Sequence, residues 1–418
     1  MGLGDKEFLK TYDGPALRIM EVCGTHTAAI FKSGIRSFLS PKIRLISGPG
    51  CPVCVTMTDF IDQCIEAAMR PGHELLCFGD LLKVPGGRVG RVALAPESHT
   101  AGRVALAPES HTADRVALAP ESHVNRPLLT QARTLSDAKS TGARVRMIWS
   151  PFDAIDLAKS DPGTIFVVAA IGFETTAPAF GLLIGEAEAL GIKNIKLLTS
   201  LKSAIAAIDW VCADSESTGR AGAECGLKEP SQLSDPSSSG ADSEAIDAFL
   251  CPGHVSVITG ADAYRPLAEK YKKPFIVAGF EGERLLGAIR AAAEDAAEGR
   301  GGVRNFYHEA VSPGGNEKAR AITERYFEQG PADWRGLGSV AASGYHIKED
   351  YRKYDAGTPA HNTPAAEPDP DGCRCGEVIL GRINPDACPL FGTACTPAHA
   401  IGPCMVSSEG ACGIWYTY

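Results

Sequence analysis

The chain has 418 residues, 44% of them hydrophobic, enough for two or three domains with separate cores. Its formal net charge of −9 and pI near 5.6 exclude a protein whose main partner is nucleic acid, because phosphate binding needs basic patches. No run of eighteen apolar residues occurs and the opening MGLGDKEFLK is polar, so neither a membrane partner nor a secretory signal is expected. Fourteen cysteines in a chain read as leaderless point to metal or redox chemistry in the cytoplasm rather than to a disulfide scaffold.

Residues 16–22 read as a strand running into Cys23-Gly24-Thr25-His26-Thr27, with a helix expected at 28–33 and capped by Thr25 or Thr27. Cys23 then falls at the carboxyl end of a strand, where α/β proteins bind ligands. The adjacent helix N-terminus is expected to lower its thiol pKa. The bland alternative is a small buried cysteine, with His26 hydrogen-bonded in a loop. The pattern recurs where a strand at 43–46 enters Gly48-Pro49-Gly50-Cys51-Pro52-Val53-Cys54, ahead of a helix at 58–69. A C-x-x-C between strand and helix is the setting of a thioredoxin-like redox pair. Half a zinc site is the alternative, but no second C-x-x-C completes it. Cys64, on a helix face, and Cys77, in a strand at 74–78, read as core.

Residues 91–102, 103–114 and 115–126 form a near-perfect tandem repeat, RVALAPESH plus three residues, carrying His99, His111 and His123. The unit is too short for a solenoid and has a central proline, so it reads as a duplicated loop rather than a metal site. The α/β pattern then resumes. A polar helix is expected at 128–141, then strands at 145–148, 165–172 and 195–200, the second ending in a turn with Glu174, Thr175 and Thr176. Residues 213–243 are rich in Ser, Gly, Asp and Glu and read as a flexible surface insertion. One later strand ends at Cys251-Pro252-Gly253-His254 and another at Gly279-Phe280-Glu281. A helix is expected at 317–328 and a Pro-rich linker at 357–372.

Two motif pairs suggest internal duplication. GPGCPVCVT and CPGHVSVITG both place Pro-Gly at a strand end, and IGFETT and AGFEGE both end an apolar strand in Gly-Phe-Glu. The fold expected is therefore α/β. It has two similar Rossmann-like lobes, at 15–180 and 181–300 with segments free to exchange, and a cysteine-rich domain at 301–418. Facing lobes would gather Cys51, Cys54, Glu174, His254 and Glu281 at one cleft.

Six cysteines crowd the C-terminal segment: Cys373, Cys375, Cys388, Cys395, Cys404 and Cys412. A cuboidal [4Fe–4S] cluster takes four thiolates, which leaves two as a redox pair. On an extended chain Cys373 and Cys375 point opposite ways, so one can face a cluster while the other seeks a partner such as Cys404. Spacing alone leaves other allocations open, and a structural zinc site is the alternative.

Seven ordered motifs now stand together: MEVCGTHTAAIFKSGI, SGPGCPVCVT, IGFETTAP, FLCPGHVSVITG, VAGFE, WRGLG and the ending CRCGEV…CPLFG..CTP…GPCMVSSEGAC. They resemble the HypD family of hydrogenase maturation factors, from about residue 15 to the end outside the two insertions. The resemblance implies an iron–sulfur redox scaffold with thiol–disulfide exchange. On it the Fe(CN)₂CO unit of [NiFe] hydrogenases is assembled, with a HypC-type chaperone, a HypE-type cyanide donor and, indirectly, the hydrogenase large-subunit precursor. Carried over by motif, Cys373, Cys388, Cys395 and Cys412 ligate a [4Fe–4S] cluster, and Cys375 and Cys404 form the neighbouring disulfide. Cys51 and Cys54 exchange with that pair, Cys23 and His26 face the transient iron centre, and Glu174, His254 and Glu281 line the cleft. A disulfide reductase resembling ferredoxin:thioredoxin reductase is the alternative function.

Overall fold

The computed structural model describes residues 2–87, 133–221, 245–357 and 372–418. The tandem repeat, residues 222–243 of the insertion, residues 128–132 of the expected polar helix and most of the Pro-rich linker lie outside the described residues. Eleven described strands are arranged in three sheets. They are β1 (Leu17–Glu21), β2 (Ile43–Ser47), β3 (His73–Cys77), β4 (Val145–Met147), β5 (Ile165–Gly172), β6 (Ile195–Leu201), β7 (Ala248–Cys251), β8 (Pro274–Val277), β9 (Gly302–Asn305), β10 (Phe327–Trp334) and β11 (Gly338–Ile347).

Two of the sheets are parallel throughout, with orders β2-β1-β7-β8-β9 and β4-β3-β5-β6. Their central strands, such as AFLC of β7 and the FVVAA of β5, are buried apolar runs, as a parallel sheet covered on both faces requires. The fold is therefore α/β. Counted within its own sheet, each lobe has the order 2-1-3-4, and the first adds a fifth strand. That is the doubly wound pattern, which opens a crevice where the order reverses. The contiguous division at residue 180 does not follow the sheets, because the chain makes β1 and β2, leaves for β3 to β6, and returns for β7 to β9. The motif pairs that suggested duplication do not superpose lobe on lobe either. Both Pro-Gly turns lie on the five-stranded sheet, and the two Gly-Phe-Glu turns follow the third strand of one sheet and the fourth of the other.

Register sets the site. Glu21, the last residue of β1, stands opposite Ser47 on one side and Leu250 on the other. Cys23, the Gly48–Cys51 turn and the Cys251–His254 turn therefore leave the same sheet edge at the same level. Helix Gly24–Lys32 begins directly after Cys23, four residues earlier than expected. Helix Ala204–Ala221 continues through residues 213–221, so that part of the expected insertion is helical.

The antiparallel β10–β11 hairpin joins the lobes. Trp334 at its tip is fully buried, stacks on Phe173 and donates from Nε1 to Ser343 Oγ at 2.8 Å. Lys202 Nζ donates to Asp333 O at 2.7 Å, and burial lowers this ammonium to a pKa of about 8. Among the described residues no helix is long and apolar enough to cross a membrane.

Candidate thiol redox site

The turns after β1 and β2 close on each other because their glycines permit it. A Cβ on Gly50 would stand 2.5 Å from Cys23 N and 2.6 Å from its Cα. Only a glycine lets the C-x-x-C turn pack against the Cys23 backbone. Within that turn Cys51 and Cys54 form a disulfide, with Cα atoms 5.3 Å apart.

Cys23 caps helix Gly24–Lys32 and is buried. Its thiol is pushed up to about 11, the opposite of what a helix N-terminus alone predicts. Burial dominates, the backbone N–H of His26 offsets it in part, and the Glu409 carboxylate adds to the rise. His26 is fully enclosed, with Nε2 3.0 Å from Ala278 O, so Nε2 carries the proton. Its Nδ1 is buried with no hydrogen-bond partner among the described residues, and burial lowers the ring to about 4. The His26 ring lies 5.0 Å from that of Phe280, and exposed His254 lies 4.3 Å from Phe280, so one aromatic ring separates the two histidines.

The two expected glutamates are not in this cluster. Glu174 is buried and accepts from Ser203 Oγ at 2.7 Å and from the Ala204 backbone at 3.2 Å, anchoring the start of helix Ala204–Ala221. It lines a separate inter-lobe cavity with Tyr345, Arg320 and Lys348. Glu281 lies at the surface, 3.6 Å from Arg284.

All six C-terminal cysteines line one pocket, whose remaining wall is mainly Val378, Leu390, Phe391 and Met405. Arg374 is not extended (φ −111°, ψ 30°) and a helix starts at Cys375, so Cys373 and Cys375 do not alternate as a strand would have them. Both line the pocket. Cys375 Sγ and Cys404 Sγ share a hydrogen bond at 2.8 Å and are buried. Hydrogen bonding with Cys373 and Cys404 holds Cys375 well below the ordinary thiol range, whereas hydrogen bonding with Cys375 and Cys412 pushes Cys404 well above it.

The donor set suits an iron–sulfur cluster: four cysteines remain beside the bonded pair, in an apolar setting. Gly402 leaves the space open, since a Cβ there would come 2.9 Å from Cys373 Sγ. Among the described residues no three such side chains converge on a single ion, whereas a cubane spreads its four thiolates over four irons.

A second small pocket joins the two thiol sites. Gly50, Cys51, Cys54, Cys404, Ile379 and Glu409 line it together, so Cys404 borders both the six-cysteine pocket and the Cys51–Cys54 disulfide. Sequence reasoning passed over Glu409, which contacts the Cys23 turn through Thr25 Oγ1. Its only signal was its place inside the GPCMVSSEGAC motif.

Two α/β lobes built on parallel sheets, with a C-x-x-C disulfide at a strand end and six cysteines around one pocket, place this chain among thiol-rich α/β proteins. Similarity gives the family. The model of HypD, described as the hydrogenase formation hypA family, matches residues 6–127 and 111–418. The chain is 36% identical over 402 residues to the hydrogenase maturation factor HypD of Azotobacter vinelandii, covering 96% of this chain and 89% of that protein. It is 35% identical over 412 residues to HypD of Escherichia coli K12, covering 96% and 89%. It is 34% identical over 402 residues to a putative hydrogenase expression/formation protein of Methanocaldococcus jannaschii, covering 96% and 92%. The chain belongs to the HypD family.

Proposed function

We propose that this chain is a cytoplasmic hydrogenase maturation factor, a redox-active scaffold on which the Fe(CN)₂CO unit is assembled. The observation that carries the reading is the position of Cys404, bordering both the six-cysteine pocket and the Cys51–Cys54 disulfide. Family membership supports this over a stand-alone disulfide reductase, for which the Cys23 turn has no task.

In this reading Cys373, Cys388, Cys395 and Cys412 hold a [4Fe–4S] cluster in a cysteine-rich C-terminal domain. When bound, the cluster supplies electrons one at a time to its surroundings. The protein's own thiols do the rest. In reduced form, Cys375 and Cys404 carry two electrons and share one proton. Cys404 passes its proton to the Cys375 thiolate and attacks the Cys51–Cys54 bond, and one thiolate leaves. Cys375 then attacks the Cys404 sulfur and releases the second. A Cys375–Cys404 disulfide and a reduced Cys51/Cys54 pair result, the proton passing from one pair to the other.

Cys23 and His26 face the iron cargo. Iron bearing cyanide and CO prefers soft thiolate ligands. A thiol held near 11 stays neutral at pH 7 and gains its charge only when a cation takes it. Glu174, which lines the separate inter-lobe cavity, and His254 and Glu281, on exposed turns of the five-stranded sheet, are not ligands of the iron. The partners are a HypC-type chaperone, a HypE-type cyanide donor and, downstream, the hydrogenase large-subunit precursor. Infrared spectra of the chain purified with its partners test the reading: CN and CO stretching bands are expected. Cys51→Ala and Cys54→Ala are expected to abolish delivery of the complete unit, and full delivery by either variant defeats the relay.

A further inference from the structure

The relay needs its two thiol pairs to be held against each other, yet they lie on segments more than 300 residues apart in sequence. One turn touches both. Residues 335–337 connect β10 to β11, and on one side this tip binds the C-x-x-C loop. Arg335 N donates to Val55 O at 2.9 Å, and Arg335 Nε to Thr56 O at 3.3 Å. Those carbonyls belong to the two residues directly after Cys54. On the other side Gly336, at φ +83°, lies against the start of helix Cys375–Ile379, where a Cβ would come 2.9 Å from Gly376 Cα. No residue with a side chain fits there: the left-handed φ and the backbone contact both require glycine.

The tip cannot drift. Trp334 and Leu337 on either side are core residues, and Trp334 is fixed by Phe173 and Ser343. Arg335 is itself buried, at 5% exposure, so its side chain is held in place. A buried guanidinium is costly unless its surroundings use it, and here Nε is spent on the Thr56 carbonyl.

We propose that Arg335 is the positioning residue of the thiol relay: it clamps the Cys51–Cys54 turn to the hairpin tip that abuts Gly376. This rests on the relay reading above, and the test separates the two. The first attack joins Cys404 to Cys51 or Cys54 and expels the other as thiolate. Cys375→Ser removes the resolving thiol of the pair. With one of Cys51→Ser or Cys54→Ser added, the remaining cysteine and Cys404 can form a stable mixed disulfide, with added diamide as the two-electron oxidant and the hydrazine as its product.

The experiment uses the full-length chain in both backgrounds, quenched by alkylation and read by peptide mass spectrometry. At least one background is expected to give the Cys404 mixed disulfide. Arg335→Gln is expected to slow its formation about tenfold, as loss of a charge-assisted hydrogen bond to a buried carbonyl would, and Arg335→Lys, which keeps a charged donor, to stay within about threefold of the parent. If neither background forms the bond, the relay fails and this proposal with it. If the bond forms and Arg335→Gln matches the parent rate, the relay stands and the Arg335 assignment is overturned. If the Gln chain does not fold, Arg335→Lys decides alone, with a tenfold loss overturning the assignment.

Discussion

Thr25 Oγ1 donates a 3.0 Å hydrogen bond to Glu409 Oε1, joining the first cysteine turn to the last cysteine segment across 384 residues of chain. The backbone is equally committed. A Cβ on Gly24 would overlap the carbonyl oxygen of Glu409 and lie 2.7 Å from its carbonyl carbon. The Cys23 turn and the cysteine-rich segment are therefore docked as one surface, with Phe31 edge-on to Trp415 at 5.2 Å on the flank.

Gly24→Ala tests that docking. Gly24 opens a helix, where alanine is the better residue by roughly 0.5–1 kcal/mol on propensity alone. The overlap is with backbone, which cannot swing aside, so overpacking of about 1–3 kcal/mol should outweigh the gain. The variant is expected to unfold at lower urea concentration and to expose Cys404 to alkylation. Gly4→Ala, in helix Gly2–Thr11 with nothing within 4 Å of its Cβ, should instead be neutral or slightly stabilising. Equal behaviour of the two variants would falsify the docking argument.

His26 should shape the acid limb of stability. Its folded pKa, near 4, is below the ordinary 6.5, so between these values the unfolded chain binds the proton and the native chain does not. The contribution is fully present above pH 6.5 and is lost as pH falls through 4. Two and a half units correspond to about 3 kcal/mol as an upper figure. Urea midpoints followed from pH 7 to pH 4 should fall less steeply in His26→Asn than in the parent, and parallel curves would rule the burial argument out.

The alkaline limb belongs in part to Cys23. A thiol raised from 9 to about 11 keeps its proton in the native state while the unfolded chain loses it. Its stabilisation is complete below pH 9 and declines as pH rises through 11, by about 2–3 kcal/mol in all. Cys23→Ser is expected to flatten the loss of stability over that range. Thiolate absorbance in the ultraviolet gives a second measure: the native parent should show no more thiolate than its serine variant until pH passes 11.

The parts of this architecture governed by local periodicity were legible in the sequence. Helix Thr58–Met69 and strand Ile165–Gly172 fall where apolar spacing puts them, because each buries a regular set of side chains. The β10–β11 hairpin was not legible. Glu328, Gln329, Gly330, Pro331 and Asp333 are poor strand formers, and β10 exists because Trp334 and its neighbours fill the space between the lobes. Sheet membership was also hidden, since nothing local tells β3 to leave the sheet that β1 and β2 began. The Cys23 pKa was misjudged for a related reason. The helix end is a local feature, whereas burial in the folded chain and the Glu409 carboxylate, remote in sequence, outweigh it. For the C-terminal cysteines, residue type announced the chemistry, but the helix at Cys375 replaced the expected alternation and put Cys373 and Cys375 in one pocket.

Serine substitution through the six C-terminal cysteines tests the allocation of ligands. Loss of one thiolate from a four-thiolate cluster leaves an iron without its soft ligand, so Cys373→Ser, Cys388→Ser, Cys395→Ser and Cys412→Ser should each lower bound iron and sulfide after anaerobic preparation. Cys375 and Cys404, already bonded to each other at 2.8 Å, should be dispensable for the cluster, and their serine variants should keep the parent's visible absorption. The two groups should also differ in a second measurement. Without Cys375 or Cys404 the Cys51–Cys54 disulfide has no internal reductant and should persist when the cluster is reduced, whereas in the parent both thiols should become available to alkylation. If Cys404→Ser strips the iron while Cys412→Ser retains it, the two residues exchange roles. The dithiol would then pair Cys375 with Cys412, and the relay would lose its contact with the Cys51–Cys54 turn.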